Sequence, residues 1–199
     1  MKNLFDVSGK VAVVSGGSRG IGAMIARGLV ENGVRTYITS RKEQELQATA
    51  AALSELGECI ALPSDLGSLQ GVEAFSGQIA EREDALHILV NNAGATWGAT
   101  VEEFPESGWD KVMDLNVKSL FFLTQKLLPV LRVAGRSEDP ARVINIGSVN
   151  GFTNSHMTNY SYSASKAAVH HLTRHLSADL AADHINVNAI APGFFPSKM

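Results

Sequence analysis

Hydrophobic and polar positions along the chain fall into two alternating patterns. Short, nearly continuous apolar runs such as KVAVVS, LHILVNN and RVINIGS are separated by longer segments in which apolar residues recur at helical spacing. Continuous Val, Ile and Leu runs are typical of strands buried on both faces, as in a parallel sheet that helices cover on both sides. The six predicted strands lie in KVAVVS, RTYITS, CIALP, LHILVNN, RVINIGS and INVNAIA. The pattern predicts a doubly wound α/β fold in a single domain, residues 1–199.

The helical segments of the second half are the longest. One helix is predicted from about Gly108 to Leu131, and another from about Tyr160 to Ala182.

Composition narrows the class of ligand. The 199 residues include 17 Lys and Arg against 20 Asp and Glu, and no basic run is longer than Arg41-Lys42. This balance argues against nucleic acid or an anionic membrane as partner and favours a small metabolite. Cys59 is the only cysteine, and neither a secretory signal nor an apolar run of ~20 residues is present, so we expect a cytoplasmic protein.

A glycine-rich turn follows the first predicted strand. In SGGSRGIG, Gly16, Gly20 and Gly22 precede the helical sequence AMIARGL. Such a turn exposes backbone N–H groups at a helix N-terminus, where they attract a pyrophosphate. The spacing predicts a dinucleotide site, although a tight strand-to-helix turn without a ligand has the same appearance.

The end of the second strand indicates which dinucleotide binds. An NAD site would place an acidic residue there, but the sequence has Ser40 and Arg41. Arg41 and Arg19 can bind a 2'-phosphate through charge-assisted hydrogen bonds, so NADP(H) is predicted over NAD(H). The alternative is that both arginines are ordinary surface residues.

Two other motifs suggest different chemistry. GGSRG matches the G-x-S-x-G nucleophile elbow of hydrolases, with Ser18 at its centre, but too few residues precede it for the strands that such an elbow follows. HHLTRH places His171 and His175 on one helical face, with Asp179 one turn further on, but three residues strung along a straight helix cannot converge on one ion. No metal site is predicted.

Four further features follow the glycine turn in chain order: NNAG at 91–94, Asn116 in LNVKS, Ser148 at the end of the fifth strand, and YSASK from Tyr162 to Lys166. Together they resemble the short-chain dehydrogenase/reductase family over nearly the whole chain, from Lys10 to Met199. INIGS, INVNAIAPG and PSKM are most similar to bacterial NADPH-dependent 3-ketoacyl reductases, including the type linked with rhamnolipid synthesis. The resemblance implies a Rossmann-like fold.

Spacing distinguishes the two tyrosines of YSYSASK. Residues four apart lie on the same helix face, which pairs Tyr162 with Lys166 and leaves Tyr160 opposite Ala164. At a separation of ~4 Å and an effective dielectric constant of ~20, an ammonium group stabilises a phenolate by ~4 kcal/mol. This attraction favours proton transfer by Tyr162, whose phenol would otherwise be a very weak acid near neutral pH.

The resemblance implies a role for each residue of the acid/base site. Tyr162 would donate a proton to a carbonyl oxygen as the nicotinamide delivers hydride to carbon, and the Ser148 hydroxyl would polarise that oxygen. Lys166 would also hold the nicotinamide ribose, and Asn116 would position water that connects Lys166 to solvent. A surface Tyr/Lys pair, a strand-end serine and a helix-interior asparagine are the structural alternative.

The resemblance also implies a set of cofactor-binding positions. They are Gly16, Ser18, Arg19, Gly20, Ile21, Gly22, Ser40, Arg41, Asp65, Leu66, Asn91, Ala93, Gly94, Tyr162, Lys166, Pro192, Gly193 and Phe195. Ser15 and Ser197 replace threonines of the family pattern but keep the hydroxyl. Phe195 is bulkier than the Ile or Val usual at its position, which affects the fit around the carboxamide.

Apolar residues near the predicted cleft suggest the substrate. Trp97, Phe152, Met157, Phe194 and Phe195 follow strand ends and suit an acyl chain or another apolar ketone, although ordinary loop packing is an equal alternative. The family resemblance implies a homodimer or homotetramer. Family members continue through a substrate lid and a seventh strand, which are absent from this chain, so we expect the domain to be incomplete at its C-terminal end. A nucleotide-binding interaction protein with little activity is therefore a second hypothesis.

Overall fold

The computed structural model describes residues 5–154 and 156–194. The strands are β1 Val11–Ser15, β2 Arg35–Thr39, β3 Cys59–Ala61, β4 Ile88–Asn91, β5 Ala141–Ile146 and β6 Ile185–Ile190. The helices are α1 Gly20–Glu31, α2 Glu43–Ser54, α3 Leu69–Arg82, α4 Glu106–Met113, α5 Ser119–Ala134 and α6 Tyr160–Leu180. Phe195 and Ser197, both considered from the sequence, lie outside the described residues.

The six strands form one parallel sheet in the order β3-β2-β1-β4-β5-β6. This order confirms the predicted doubly wound α/β fold. The chain starts at the centre of the sheet, runs to one edge, and then returns to the centre before running to the other. Ligands in such sheets bind beyond the carboxyl ends of the strands, where the winding direction changes between β1 and β4.

Successive residues of β1 point to opposite faces of the sheet and bury two separate cores. Val11 and Val13 join the core formed with α3 and α5, and Ala12 and Val14 join the one formed with α1 and α2. All four side chains are buried, as expected for a central strand that helices cover on both sides. In the part of the chain that the structure describes, each helix is too short or too polar to cross a bilayer.

The predicted helix from Gly108 to Leu131 differs from the observed one. Helical structure extends from Glu106 to Ala134, but a π-helical turn at Asp114–Lys118 separates α4 from α5. Such turns insert a residue into the regular helix and often occur at functional sites. Asn116 lies in this turn.

Candidate active site

A cleft of about 480 Å³ opens beyond the carboxyl ends of the strands. Its lining comes from the segments that follow all six strands and from the start of α6. The predicted site residues that line it are Gly16, Ser18, Arg19, Gly20, Ile21, Gly22, Ser40, Arg41, Asp65, Leu66, Ala93, Gly94, Ser148, Tyr162, Lys166, Pro192 and Gly193. One cavity therefore brings together residues that are up to 177 positions apart in the sequence.

The glycine turn after β1 needs glycine for two different reasons. Gly16 and Gly20 have φ angles of +66° and +55°, a region that side chains strongly disfavour. Gly22 has close neighbours instead, since a Cβ there would lie 2.2 Å from the carbonyl oxygen of Gly16. The turn is thus held tightly against the first residues of α1.

The N-terminus of α1 is open to an anion. Its N-cap residue, Arg19, has extended backbone and makes no side-chain capping hydrogen bond, and the first turn contains no acidic residue. The first N–H groups of a helix lack partners within the helix, and together with the helix dipole they favour negative charge. The geometry of this end fits the pyrophosphate of a dinucleotide.

Ser15 and Asn92 fasten the glycine turn to the segment after β4. Ser15 Oγ accepts hydrogen bonds from the backbone N–H groups of Asn92 (2.9 Å) and Ala93 (3.0 Å). Asn92 Nδ2 in turn donates to the carbonyl oxygens of Ser15 (2.9 Å) and Gly16 (3.1 Å). These bonds explain why a hydroxyl is useful at position 15. They also identify Asn92, which lines the cleft but is absent from the sequence-based set, although it stands inside the NNAG motif.

The far end of the cleft has the groups expected around a ribose 2'-phosphate. Ser40 Oγ is buried and lacks a hydrogen-bond partner within residues 5–154 and 156–194. The guanidinium of Arg41 lies 3.8 Å from Asp65, and that of Arg19 lies 3.8 Å from Glu45. Both arginine side chains are substantially exposed, so these long contacts are weak. This hydroxyl and the two weakly held cations line the same cleft, and together they fit a phosphate.

Asn91 lies in the sheet and not in the cleft. Its Nδ2 group donates to Asn145 Oδ1 (2.9 Å) on the neighbouring strand β5 and to Thr124 Oγ1 (3.0 Å) on α5. Asn145 Nδ2 then donates to Thr173 Oγ1 (2.9 Å) on α6. The resemblance implied a cofactor-binding position for Asn91, but its side chain supports the sheet, whereas Ala93 and Gly94 line the cleft.

Asn116 is buried behind the cleft and fully engaged. Its Oδ1 accepts from the backbone N–H of Ala95 (2.8 Å), and its Nδ2 donates to the Ala95 carbonyl (3.0 Å) and to Ser165 Oγ (2.9 Å). The side chain therefore joins the π-helical turn to the segment after β4 and to α6. The role in positioning water that the resemblance implied for Asn116 stays a prediction.

Tyr162 and Lys166 lie one turn apart on α6, and both face the cleft. Lys166 Nζ lies 5.6 Å from the centre of the Tyr162 ring and donates a hydrogen bond of 2.7 Å to the Ile146 carbonyl. Loss of solvent on burial lowers the pKa of the Lys166 ammonium to about 8. Tyr160 instead packs edge-on against Phe104, with the ring centres 5.8 Å apart, and is absent from the cleft lining.

Ser148 lies two residues after the end of β5 and has extended backbone. Its Oγ accepts a hydrogen bond of 3.2 Å from the Asn150 N–H, at the start of a 3-10 turn, Val149–Gly151. His170, one helical turn beyond Lys166, contacts the Ser148 backbone. His170 is a further residue that the sequence did not reveal, although it follows Lys166 by four residues, the same spacing that pairs Tyr162 with Lys166.

The apolar residues near the cleft have separate positions. Met157 and Phe194 line it. Phe152 is largely exposed and stacks on His170, whereas Trp97 packs against Gly108 on α4, with Lys111 over its ring. Trp97 therefore belongs to loop packing, as the alternative interpretation held.

The residues behind the two alternative motifs have ordinary surroundings. The Ser18 hydroxyl lies 3.5 Å from the Glu45 carboxylate, with no histidine in contact among the described residues. His171 contacts Arg174, and His175 lies 3.9 Å from Asp179 on the exposed side of α6.

Comparison with known proteins decides the family. The family model described as "short chain dehydrogenase" matches residues 10–199. The chain belongs to the short-chain dehydrogenase family. It is 51% identical to the rhamnolipids biosynthesis 3-oxoacyl-[acyl-carrier-protein] reductase of Pseudomonas aeruginosa, over 100% of this chain and 78% of the relative. It is 37% identical to the 2-dehydro-3-deoxy-D-gluconate 5-dehydrogenase of Dickeya dadantii, over 98% of this chain and 76% of that relative.

Solved structures of other short-chain dehydrogenases have the same architecture. A Pseudomonas aeruginosa RhlG/NADP active-site complex superimposes with a TM-score of 0.96 at 51% identity, covering 100% of this chain and 78% of that one. A putative short-chain alcohol dehydrogenase from Sinorhizobium meliloti gives a TM-score of 0.91 at 33% identity, covering 99% of this chain and 77% of that one. Members of this family are oxidoreductases, and the predicted oxidoreductase class is confirmed.

Proposed function

We propose that this protein is an NADPH-dependent reductase that transfers hydride to the ketone of a 3-ketoacyl thioester. The observation that carries the proposal is the single cleft in which the glycine turn, Ser148, Tyr162 and Lys166 meet. The 51% identical relative from Pseudomonas aeruginosa, a 3-oxoacyl reductase, supports the substrate class. We take residues 1–199 as one NADP-binding unit.

NADPH, when bound, supplies the hydride. The protein would hold it with the glycine turn and the open N-terminus of α1, and would recognise its 2'-phosphate through Ser40, Arg19 and Arg41. The Ser40 hydroxyl has no hydrogen-bond partner in the part of the chain that the structure describes, and a phosphate oxygen would provide one, which supports NADPH over NADH. The NADP complex of the similar Pseudomonas structure agrees with this choice.

The protein's own residues would polarise the ketone and supply its proton. In this proposal Tyr162 donates the phenolic proton to the carbonyl oxygen, and the Ser148 hydroxyl hydrogen-bonds to the same oxygen. Lys166 presents a cation to the Tyr162 ring and so favours the phenolate left after transfer. Its lowered pKa of about 8 leaves the ammonium largely protonated at neutral pH.

The substrate would bind at the end of the cleft that Met157 and Phe194 line. Their apolar side chains suit an acyl chain, although another apolar ketone would satisfy the same lining. Phe195, which lies outside the described residues, belongs to this proposed region by its place in the sequence.

We further propose that the enzyme acts in the cytoplasm as a homodimer or homotetramer, which the family resemblance supports.

The decisive experiment measures NADPH oxidation with acetoacetyl-CoA and an acetoacetyl acyl-carrier protein, in parallel with a steroid ketone and a sugar ketone. We expect turnover with the thioesters and little with the other two. Turnover with only the other ketones would replace the substrate class. NADPH binding without turnover on any ketone would favour the interaction protein, and the native protein's intact mass would show whether the chain tested is the chain made in the cell.

A further inference from the structure

We infer that His170 is a positioning residue that fixes the backbone of Ser148 and thereby aims its hydroxyl at the substrate carbonyl. The inference rests on the proposed function, because it assigns His170 to the reductase site. It goes further because it assigns a role in the site to a residue that does not itself line the cleft.

The contact is made by one imidazole nitrogen. His170 Nε2 lies 3.0 Å from the Ser148 carbonyl oxygen and 3.4 Å from the Ser148 backbone nitrogen. The shorter distance favours the tautomer in which Nε2–H donates to the carbonyl. The same oxygen accepts from the Gly151 N–H at 3.0 Å, so the serine's carbonyl is held from α6 and from its own 3-10 turn.

The chain is shaped around the ring. A Cβ at Gly147 would lie 2.2 Å from His170 Cε1, and a Cβ at Gly151 would lie 2.6 Å from His170 Cδ2. Phe152 closes the remaining side, with ring centres 4.0 Å apart and an interplanar angle of 23°. The two glycines thus form a slot on either side of Ser148, and the imidazole, only 8% exposed, fills it.

Lys166 and His170 act on alternate carbonyls of the same segment. Lys166 donates to Ile146 at 2.7 Å, and His170, four residues later, contacts Ser148. One face of α6 therefore carries three residues of the site: the proposed proton donor Tyr162, and Lys166 and His170, which contact backbone carbonyls at and just beyond the end of β5. This arrangement fixes Ser148 relative to Tyr162, which is the geometry that a shared carbonyl oxygen requires.

The test is a double-mutant cycle between His170 and Ser148. His170→Phe keeps an aromatic ring beside Phe152 but removes the donor, and His170→Gln restores an amide donor near the position of Nε2. In single-turnover NADPH oxidation with acetoacetyl-CoA, we expect H170F to lower the rate about tenfold, H170Q to recover most of it, and the NADPH Kd to stay unchanged. In an S148A background, H170F should cause no further loss, because its effect passes through the serine.

His171→Phe, on the exposed side of the same helix, is the matched control and should leave the rate unchanged. Equal losses from H170F with and without Ser148, or a weakened NADPH Kd, would overturn the inference, since a merely structural histidine would act in both backgrounds. If H170F is insoluble, H170L carries the same cycle. If the unsubstituted enzyme turns over no ketone, the proposed function fails, and ¹⁵N NMR of His170 still tests the contact: a proton on Nδ1 and not on Nε2 would refute it.

Discussion

The two ends of the sheet each contain a tyrosine and a lysine, but these residues contact carboxylates at only one end. At the amino ends of the strands, Tyr37 donates a 2.6 Å hydrogen bond to Glu83, and Lys10 pairs with Asp139. At the carboxyl ends, Tyr162 faces the cleft, and Lys166 hydrogen-bonds to a backbone carbonyl. At one end a tyrosine therefore hydrogen-bonds to a carboxylate and a lysine forms an ion pair with another, whereas at the other end no carboxylate among the described residues forms an ion pair with Lys166.

The pKa of the tyrosine at the amino end is raised, whereas the pKa of the lysine at the carboxyl end is lowered. Burial, followed by the adjacent Glu83 carboxylate, raises the pKa of Tyr37 well above the ordinary value for a phenol. Burial alone lowers the pKa of Lys166. The amino end thus keeps its phenol protonated and inert, while the carboxyl end retains a cation whose charge is available to a neighbour. Buried ionisable groups with a shifted pKa, such as Lys166, concentrate at functional sites.

The largest expected effect comes from removing the phenolic hydroxyl at the carboxyl end of the sheet. Tyr162→Phe should lower kcat about 1000-fold, because general acid catalysis contributes factors of this order, and should leave the NADPH Kd unchanged. Steady-state kinetics and NADPH fluorescence titration measure the two quantities. Tyr160→Phe is the control on the same helix, and loss of activity in that variant in place of Tyr162→Phe would reverse the assignment.

Lys166→Met should separate activity from stability. We expect kcat to fall about 100-fold and the free energy of unfolding at pH 7 to rise by about 1–3 kcal/mol, because the variant removes a buried charge. The folded-state pKa of about 8 lies below the unfolded value, so the protein binds fewer protons when folded and gains stability as the pH rises from about 8 to about 10.5. The advantage of the variant should therefore vanish near pH 11 in urea denaturation. A constant difference across this range would show that the buried ammonium is not its cause.

Tyr37→Phe should have the reverse result of Tyr162→Phe. Removal of the hydroxyl takes the shortest hydrogen bond from the largely buried Glu83 carboxylate and leaves Arg35, at 3.1 Å, as its remaining donor. This loss should lower the free energy of unfolding by about 1–3 kcal/mol while kcat stays the same. Thermal and urea denaturation measure the loss. A fall in kcat without a loss of stability would contradict this prediction, because it would show that Tyr37 affects the cleft at the other end of the sheet.

The smallest effect concerns the cofactor. Arg41→Ser should raise the KM for NADPH about tenfold and leave the KM for NADH unchanged, because only the 2'-phosphate differs between the two. Arg35→Ser, at the amino end of β2, the strand that Arg41 follows, is the matched control and should change neither KM. Equal increases for both cofactors would show that Arg41 binds something other than the 2'-phosphate.

The sequence predicted those features in which chemistry follows local spacing. The six strands and the fold class are confirmed, because buried apolar runs and helical periodicity are properties of short segments. The spacing of Tyr162 and Lys166 likewise needs only one helix. His170, Asn92 and the π-helical turn around Asn116 were not predicted, since each depends on contacts between segments distant in the sequence. Periodicity contains no information about which backbone carbonyl a buried side chain will meet.

The amide contact between Asn91 and Asn145 has a mechanical consequence for the cleft. These residues are directly paired in the register of β4 against β5. Sliding either strand by one residue would part the two amides and turn them toward opposite faces of the sheet. Hydrophobic neighbours would tolerate such a slip far better than a polar pair. The Asn91–Asn145 pair therefore fixes the register of β4 against β5. It thereby keeps the segment of Ser148, which follows β5, aligned with the segment of Asn92, which follows β4.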